Sequence, residues 1–467
     1  MEATRDEPVT PAGRLFLQPH FNQIINCAIG FKEPLNTEAI KTEISDCLMV
    51  KHPRFCSLLV LDDHGREYWR RTQINLDDHI IIHHKDPGFD SDSDSYSEEN
   101  IEEKINSLLA DFAVSSPLST DKPLWELHLI SELKCVILRI HHSLGDGISL
   151  MSMFLASCKR LDGNNEVGFT EKNRENRGDA KKLRKRGLLE VLKIFWWTIL
   201  SVIGFFGKSL WVSDTKTAVS GGDGVELWPR TAATAKFSLK DMKTVKGAIP
   251  NATINDVLFG IISSGFSKYL DIRSSHALQE GLKITGIAMV NLRKQPGLQE
   301  MSKLMEDDSR ARWGNQFGMI LLPIYCHTKD PDPLNYVKRA KVMIDQKKQS
   351  LEAHFSYNIG NLAMSLLGPK YASILNHRIL CNTTFTISNM VGPQEELMFA
   401  GNPITYIRPT SSSLPHAITM HMVSYAGMAN MQILVAKEIV PDPRFLAKCF
   451  EDGLLEMKNA AKNAVML

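Results

Sequence analysis

Apolar and polar positions follow two periods along this chain, and the change from one to the other is sharpest at a single short turn. Cys135 to Ile140 is a run of β-branched and apolar residues too short for a typical helix, which predicts a buried strand. Ile148 to Leu155 has helical spacing instead. Between them stands HHSLGDG, residues 141–147. His141, His142 and Asp146 therefore fall on a strand-to-helix turn, where Gly145 and Gly147 suit tight backbone geometry.

The same reading extends to both sides. Upstream, Phe21 to Gly30 reads as a strand, and Thr37 to Val50 as a helix carrying Ala39, Ile40, Ile44 and Leu48 on one face. Strands are predicted at Ser57–Leu61, Glu67–Arg71 and Leu127–Ile130, and a helix at Ile101–Ala113. The acidic, serine-rich Phe89 to Asn100 reads as a solvated loop. Downstream come a strand at Phe237–Leu239, a helix at Asp241–Lys246 and a long apolar helix from Thr253 to Tyr269. Thr253 is its candidate N-cap. Strands follow at Ile284–Val290, in GNQFGMILLPI and at Thr384–Asn389, with a helix at Asp332–Ser350 between the last two. A hairpin over His421–Tyr425 and Met431–Ala436 precedes an amphipathic helix from Arg444 to Val465. This alternation predicts a mixed α/β protein.

Composition narrows the class. A chain of 467 residues, 43% hydrophobic, has room for two or three domains with sizeable cores. A net charge of +1 gives no reason to expect nucleic acid as a partner. The eight cysteines form no CxxC pair and no metal-ligand spacing, so buried free thiols in a reducing compartment are expected. The N-terminus has acids and prolines without an apolar core and does not read as a secretory signal.

One segment breaks the pattern. Arg160 to Arg186 is polar and ends in KKLRKR; Leu188 to Val212 is then almost wholly apolar. Its uncharged centre, Ile194 to Gly207, gives about 21 Å of helix, short of the roughly 30 Å hydrocarbon core of a bilayer. Extending it to span brings in Glu190, Lys193 and Lys208. Trp196, Trp197 and Trp211 suit a membrane interface. Two readings stand: a core helix, or a segment that meets the membrane beside a basic run. The composition shift divides the chain into 1–158, 159–223 and 224–467.

The histidine pair carries the candidate chemistry. An imidazole takes a proton near neutral pH without special tuning, so a histidine on such a turn suits a general base; the plain alternative is a pair that caps a strand end. A second pair, His83-His84, lacks an aspartate at the matching distance and reads as a decoy. HHSLGDG has the HHxxxDG form of the chloramphenicol acetyltransferase-like superfamily. With PLWE (123–126), TINDVLFG (253–260), NLR (291–293), GNQFG (314–318) and SNMVGP (388–393) in order, the chain resembles the plant wax ester synthase/diacylglycerol acyltransferase family.

That resemblance implies an α/β fold of two chloramphenicol acetyltransferase-like domains with mixed sheets and the active site in a tunnel between them. It implies acyl transfer from acyl-CoA to a long-chain fatty alcohol or diacylglycerol. His142 is the expected general base, His141 its support and Asp146 the residue that fixes the turn. Gly147, Asn255 and Asn389 are expected to meet substrate; Asn255 and Asp256 have the alternative role of stabilising a helix start. Arg293 is expected in an ion pair. No acyl-enzyme is called for, since both reactants are held together and the chain lacks a GxSxG elbow. No metal and no cofactor are expected, acyl-CoA being a substrate. A single span at 188–212 would separate the halves that build one tunnel. The expected location is therefore the endoplasmic reticulum membrane with both halves facing the cytosol, the plasma membrane being the other candidate. Three alternatives remain: a hydroxycinnamoyl-type transferase, whose DFGWG motif is absent here; a condensation-type domain, which needs a carrier protein; and a membrane lipid-binding protein without catalysis.

Overall fold

Strands rich in β-branched residues pair wherever the chain returns on itself, and here they make two large sheets that meet at the HHSLGDG turn. The computed structural model describes residues 6–47, 49–83, 97–115, 117–162, 187–293, 298, 313–328 and 330–466. The first half contains β1 (Glu7–Pro8), α1 (Pro11–Phe16), β2 (Ile24–Phe31), α2 (Thr37–Asp46), β3 (Ser57–Leu61), β4 (Glu67–Arg71), β5 (Ile80–His83), α3 (Glu98–Ser115), β6 (Trp125–Ile130), β7 (Cys135–His141), α4 (Gly147–Ala156) and β8 (Lys159–Arg160). Next is α5 (Leu188–Leu210). The second half contains β9 (Arg230–Ser238), α6 (Leu239–Gly247), α7 (Ile254–Arg273), β10 (Leu282–Asn291), β11 (Phe317–Cys326), α8 (Leu334–Lys348), α9 (Glu352–Leu366), α10 (Gly368–Cys381), β12 (Phe385–Val391), β13 (Leu397–Phe399), β14 (Asn402–Ser411), β15 (Ile418–Tyr425), β16 (Met428–Ala436) and α11 (Pro443–Met466). Residues 89–96 of the predicted acidic loop, the basic run at 181–186 and His84 lie outside the described residues.

The first sheet runs β5-β6-β7-β2-β14-β13-β8 and the second β11-β10-β12-β15-β16-β9; a small β1-β4-β3 sheet stands beside them. Both large sheets are mixed: β5–β6, β10–β12 and β12–β15 are parallel, the other pairs antiparallel. The sheets do not follow the division of the chain at 158 and 224. Strand β14 lies antiparallel to β2, from Ile404 opposite Phe31 to Ser411 opposite Ile25, and β13 pairs with β8. Residues 397–411 of the second half thus complete the sheet of the first.

Each sheet has its own core. Trp125, Leu129, Val136 and Leu155 belong to one, and Phe237, Phe266, Phe385 and Phe450 to the other. A smaller cluster joins them, with Phe16 and Phe21 against Ile287, Leu321, Ile379 and Phe205. Helix α7 starts as its sequence predicts: Thr253 accepts from the Asp256 amide while Asp256 accepts from the Thr253 amide. Asp256 is fully buried in that role. All eight cysteines are free thiols, six of them buried.

Helix α5 is, among the described residues, the one helix long and apolar enough to cross a membrane; Leu189–Leu210 has a mean hydropathy of 1.7 and is 6% buried. Its inner stripe is nevertheless fastened to the body. Thr198 Oγ1 accepts from the Leu351 amide (3.1 Å), and Phe205 enters the joining cluster. Lys208 Nζ, 2.6 Å from Asp214 Oδ1, also donates to the Asn382 carbonyl. Asp214 in turn accepts from the Thr285 amide and from the hydroxyls of Thr285 and Thr384, so the end of α5 is latched to β10 and the start of β12.

Candidate active site

The turn is built around one carboxylate. Asp146 stands at the N-cap of α4, where its Oδ1 accepts from the Ser149 amide (3.0 Å), the ordinary role of an aspartate at that position. The remaining acceptor capacity goes to Arg293, which grips it with two nitrogens at 2.7 and 2.9 Å. The Gln316 amide adds a further bond at 3.0 Å. Arg293 also reaches Ser149 Oγ and the Gly314 carbonyl. Both charged side chains are nearly buried (5% and 7% exposed), so the pair knots the NLR, GNQFG and HHSLGDG segments together. Asp146 therefore holds the turn and leaves no oxygen free to move a proton. Trp313 closes the far side by donating from Nε1 to the Leu144 carbonyl.

The two histidines differ in what their ring nitrogens do. The Ser143 amide donates to His141 Nδ1 (3.2 Å), which makes Nδ1 the acceptor and puts the ring proton on Nε2. That proton goes to Asn22 Oδ1 at 2.9 Å. Both nitrogens are used, and burial pushes the imidazole down to about 3. His142 is the reverse. Asn315 Nδ2 donates to the His142 carbonyl (2.8 Å), which fixes the amide orientation and turns Asn315 Oδ1 toward His142 Nδ1 at 3.0 Å. An acceptor there keeps the proton on Nδ1 and the lone pair on Nε2. Burial pulls His142 below its ordinary value, opposed by its own carbonyl, Asp146 and Asn315. Phe16 stacks on the ring at 4.2 Å and fixes its plane. An oriented imidazole results, its Nε2 unpaired among the described residues.

His142 borders a cavity of about 310 Å³ walled mainly by apolar side chains of both halves such as Leu138, Met151, Phe154, Met289, Phe317 and Leu380. Gly147 and Asn389 line it as well. A Cβ on Gly147 would meet Met390 Sδ at 3.6 Å, an ordinary contact, so the space at this position does not demand glycine. Asn255 is exposed at the start of α7 and reaches the cavity only through Asn389, whose Nδ2 donates to Asn255 Oδ1 at 2.9 Å. Two further residues belong to the site without having been singled out from the sequence. Asn315, in GNQFG, sets the tautomer of His142. His421, on β15, lines the cavity with its Nδ1 unpaired, and burial together with His142 pushes it to about 4. Only its motif membership hinted at Asn315; nothing in the strand pattern marked His421.

Comparison with known proteins decides what this arrangement belongs to. Residues 42–195 match the wax ester synthase/diacylglycerol acyltransferase catalytic domain and residues 313–458 the WS/DGAT C-terminal domain. Wax ester synthase/diacylglycerol acyltransferase 11 of Arabidopsis thaliana is 33% identical over 100% of this chain and 96% of its own length; number 5 is 34% identical over 97% and 93%. The chain belongs to the wax ester synthase/diacylglycerol acyltransferase family. It is an acyltransferase of the chloramphenicol acetyltransferase-like fold. The wax ester synthase/diacylglycerol acyltransferase of Marinobacter aquaeolei VT8 shares that fold, with a TM-score of 0.59 at 17% identity over 97% of this chain and 100% of the other. So does a trichothecene 15-O-acetyltransferase from Fusarium sporotrichioides, with a TM-score of 0.57 at 12% identity over 97% and 94%. In this family member the catalytic-domain match carries the HHSLGDG turn, and the C-terminal match carries Asn315 and His421.

Proposed function

We propose that the protein transfers a fatty acyl group from acyl-CoA to the hydroxyl of a long-chain alcohol, forming wax ester, and to diacylglycerol, forming triacylglycerol. The observation that carries this is His142, whose Nδ1 proton is accepted by Asn315 Oδ1, which leaves Nε2 the basic nitrogen, on the wall of an apolar cavity shared by both halves. Nε2 takes the hydroxyl proton as the oxygen attacks the thioester carbonyl. The carbon–sulfur bond then breaks and the same nitrogen returns the proton to the CoA thiolate. Ester and free CoA leave, and histidine ends as it began. Neither an acyl-enzyme nor a metal or cofactor takes part. Apolar walls keep water from the thioester. The test is CoA release from acyl-CoA with hexadecanol, then with a panel of alcohols and diacylglycerol, for the wild type and His142→Ala. Release that is equal in both proteins removes the assignment.

We further infer that α5 lies in the cytosolic leaflet of the endoplasmic reticulum without crossing it. Supporting this, its lower end is latched through Lys208 and Asp214, and both flanking halves build one cavity. The sequon at Asn251, an exposed residue, reports on the arrangement. A glycosidase-sensitive mass shift lost in Asn251→Gln would place the second half in the lumen and overturn it.

A further inference from the structure

Two helices, α9 and α10, wall the cavity on one side with a mixed polar and apolar face and turn exposed apolar residues away from it. On α9, Tyr357, Asn361 and Met364 line the cavity; on α10, Asn376, Ile379 and Leu380 do. The outward stripes of the same two helices hold Leu362 (49% exposed), Leu366 (74%), Leu367 (52%), Tyr371 (60%) and Ile374 (39%). Leu362 and Leu366 lie four apart on α9, Leu367 stands between the helices, and Tyr371 and Ile374 lie three apart on α10, so the exposed apolar residues gather around the hairpin tip. Such a patch on a soluble surface marks an interaction site.

Two observations identify the occupant. From residue 353 to 394 the chain has no Asp or Glu at all, while Lys370 and Arg378 stand exposed on the outer face of α10. Moreover, the patch continues onto α5, which is fastened alongside α9 and α10 and turns Phe195 (64%), Ile203 (61%) and Trp211 (76%) outward. An exposed apolar tip with Lys370 and Arg378 beside it, on a stretch that carries no carboxylate of its own, suits a lipid surface with anionic headgroups. A protein partner would be expected to meet a polar rim of both signs.

We propose that the α9–α10 hairpin beds into the bilayer beside α5 and is the side door of the cavity. The long-chain acceptor passes from lipid, between α9 and α10, to His142 without crossing water. The substrate part of this rests on the acyltransferase reading; the lipid contact does not. The door also accounts for helices that carry apolar residues on opposite faces, since one face serves the cavity and the other the membrane.

The experiment compares the full-length wild type, Leu366→Asp/Leu367→Asp in the hairpin and Phe195→Asp/Ile203→Asp in α5. Each is floated with vesicles of phosphatidylcholine, with and without phosphatidylserine. Each is also assayed for CoA release with hexadecanol held in those vesicles and with hexanol in solution. Replacing two exposed leucines that would enter the bilayer should weaken vesicle binding of the hairpin variant roughly tenfold or more. Its turnover of hexadecanol should fall in step, its turnover of hexanol and its melting temperature should stay as in the wild type, and phosphatidylserine should strengthen wild-type binding. Vesicle binding and hexadecanol turnover unchanged in the hairpin variant overturn the proposal. Equal loss on both alcohols also overturns it, because the hairpin would then be part of the site and not its door. If the hairpin pair melts early, Tyr371→Asp takes its place under the same criteria. A wild type that releases CoA with neither alcohol refutes the acyltransferase reading, and the flotation arms still decide the lipid contact.

Discussion

Two histidine clusters adjoin strand β7, and only one of them is equipped for chemistry. In the first sheet, His83 Nε2 on β5 meets His128 Nδ1 on β6 at 2.9 Å, and His128 Nε2 faces Glu126 Oε2 at 3.2 Å. Arg139, on β7, and Lys122 complete that network around Glu126. Burial alone would raise the Glu126 carboxyl; hydrogen bonds from His128 and Lys122 and the nearby Arg139 overcome it and bring it to about 2. At the end of β7 the second cluster has the same ingredients: two histidines, a buried carboxylate and an arginine. The difference is in the arrangement. Around Glu126 the ring nitrogens of His128 are both consumed. At the turn the carboxylate and arginine satisfy one another, His141 absorbs the local hydrogen bonds, and His142 keeps one nitrogen unspent beside a cavity. A base is made by what its neighbours leave free.

The largest effect that would test this contrast is at His142. His142→Ala should lose roughly 10²- to 10⁴-fold in turnover in the CoA-release assay, the ordinary worth of a general base. His141→Ala should cost less turnover and show itself as early melting, since it orphans Asn22 and Ser143. Equal catalytic losses in the two variants would erase the distinction. Next comes the buried pair. Arg293→Ala leaves Asp146 uncompensated and should destabilise the fold by about 3–5 kcal/mol, read as a lowered urea midpoint.

A pH profile sharpens the comparison further. The imidazole must be neutral to accept a proton, and burial holds His142 below 6.5, so activity persists as pH falls through that value and is lost only in a more acid limb. In Asn315→Asp a carboxylate favours the imidazolium, so the acid limb should move up by about one pH unit or more. A limb that stays in place would detach Asn315 from His142. The smallest effect belongs to the decoy. His83→Ala should leave turnover unchanged and cost under about 1 kcal/mol in the urea midpoint.

The strand, turn and helix around HHSLGDG were legible because their periods change within a few residues and the caps are local. The same holds for Ser57–Leu61 and Glu67–Arg71, whose bounds match the predicted ones, and for the capped start of α7. Arg293 was expected in an ion pair, but its partner was beyond reach of any local pattern, since Asp146 lies 147 residues away. Asn315 and His142 are 173 apart, and no periodicity links them. Helices α9 and α10 escaped notice for another reason. A helix with apolar residues on two opposite faces has no single stripe for the 3.6-residue period to reveal. β9 runs longer than Phe237–Leu239 because its Ala- and Thr-rich start, Arg230 to Ala235, carries little apolar signal until β16 pairs with it.

The passage of β14 into the first sheet has a consequence for how the chain is made. Ile24, at the start of β2, donates to Ser412 across 388 residues of sequence. At the usual pace of a ribosome, about 5–20 residues per second, that is a wait of roughly 20–80 seconds. During it β7 can pair with β2, but the opposite edge of β2 stays bare, with every other amide and carbonyl turned outward toward any strand that arrives first. The first half is thus a nascent body with an open seam until residues 397–411 emerge to close it.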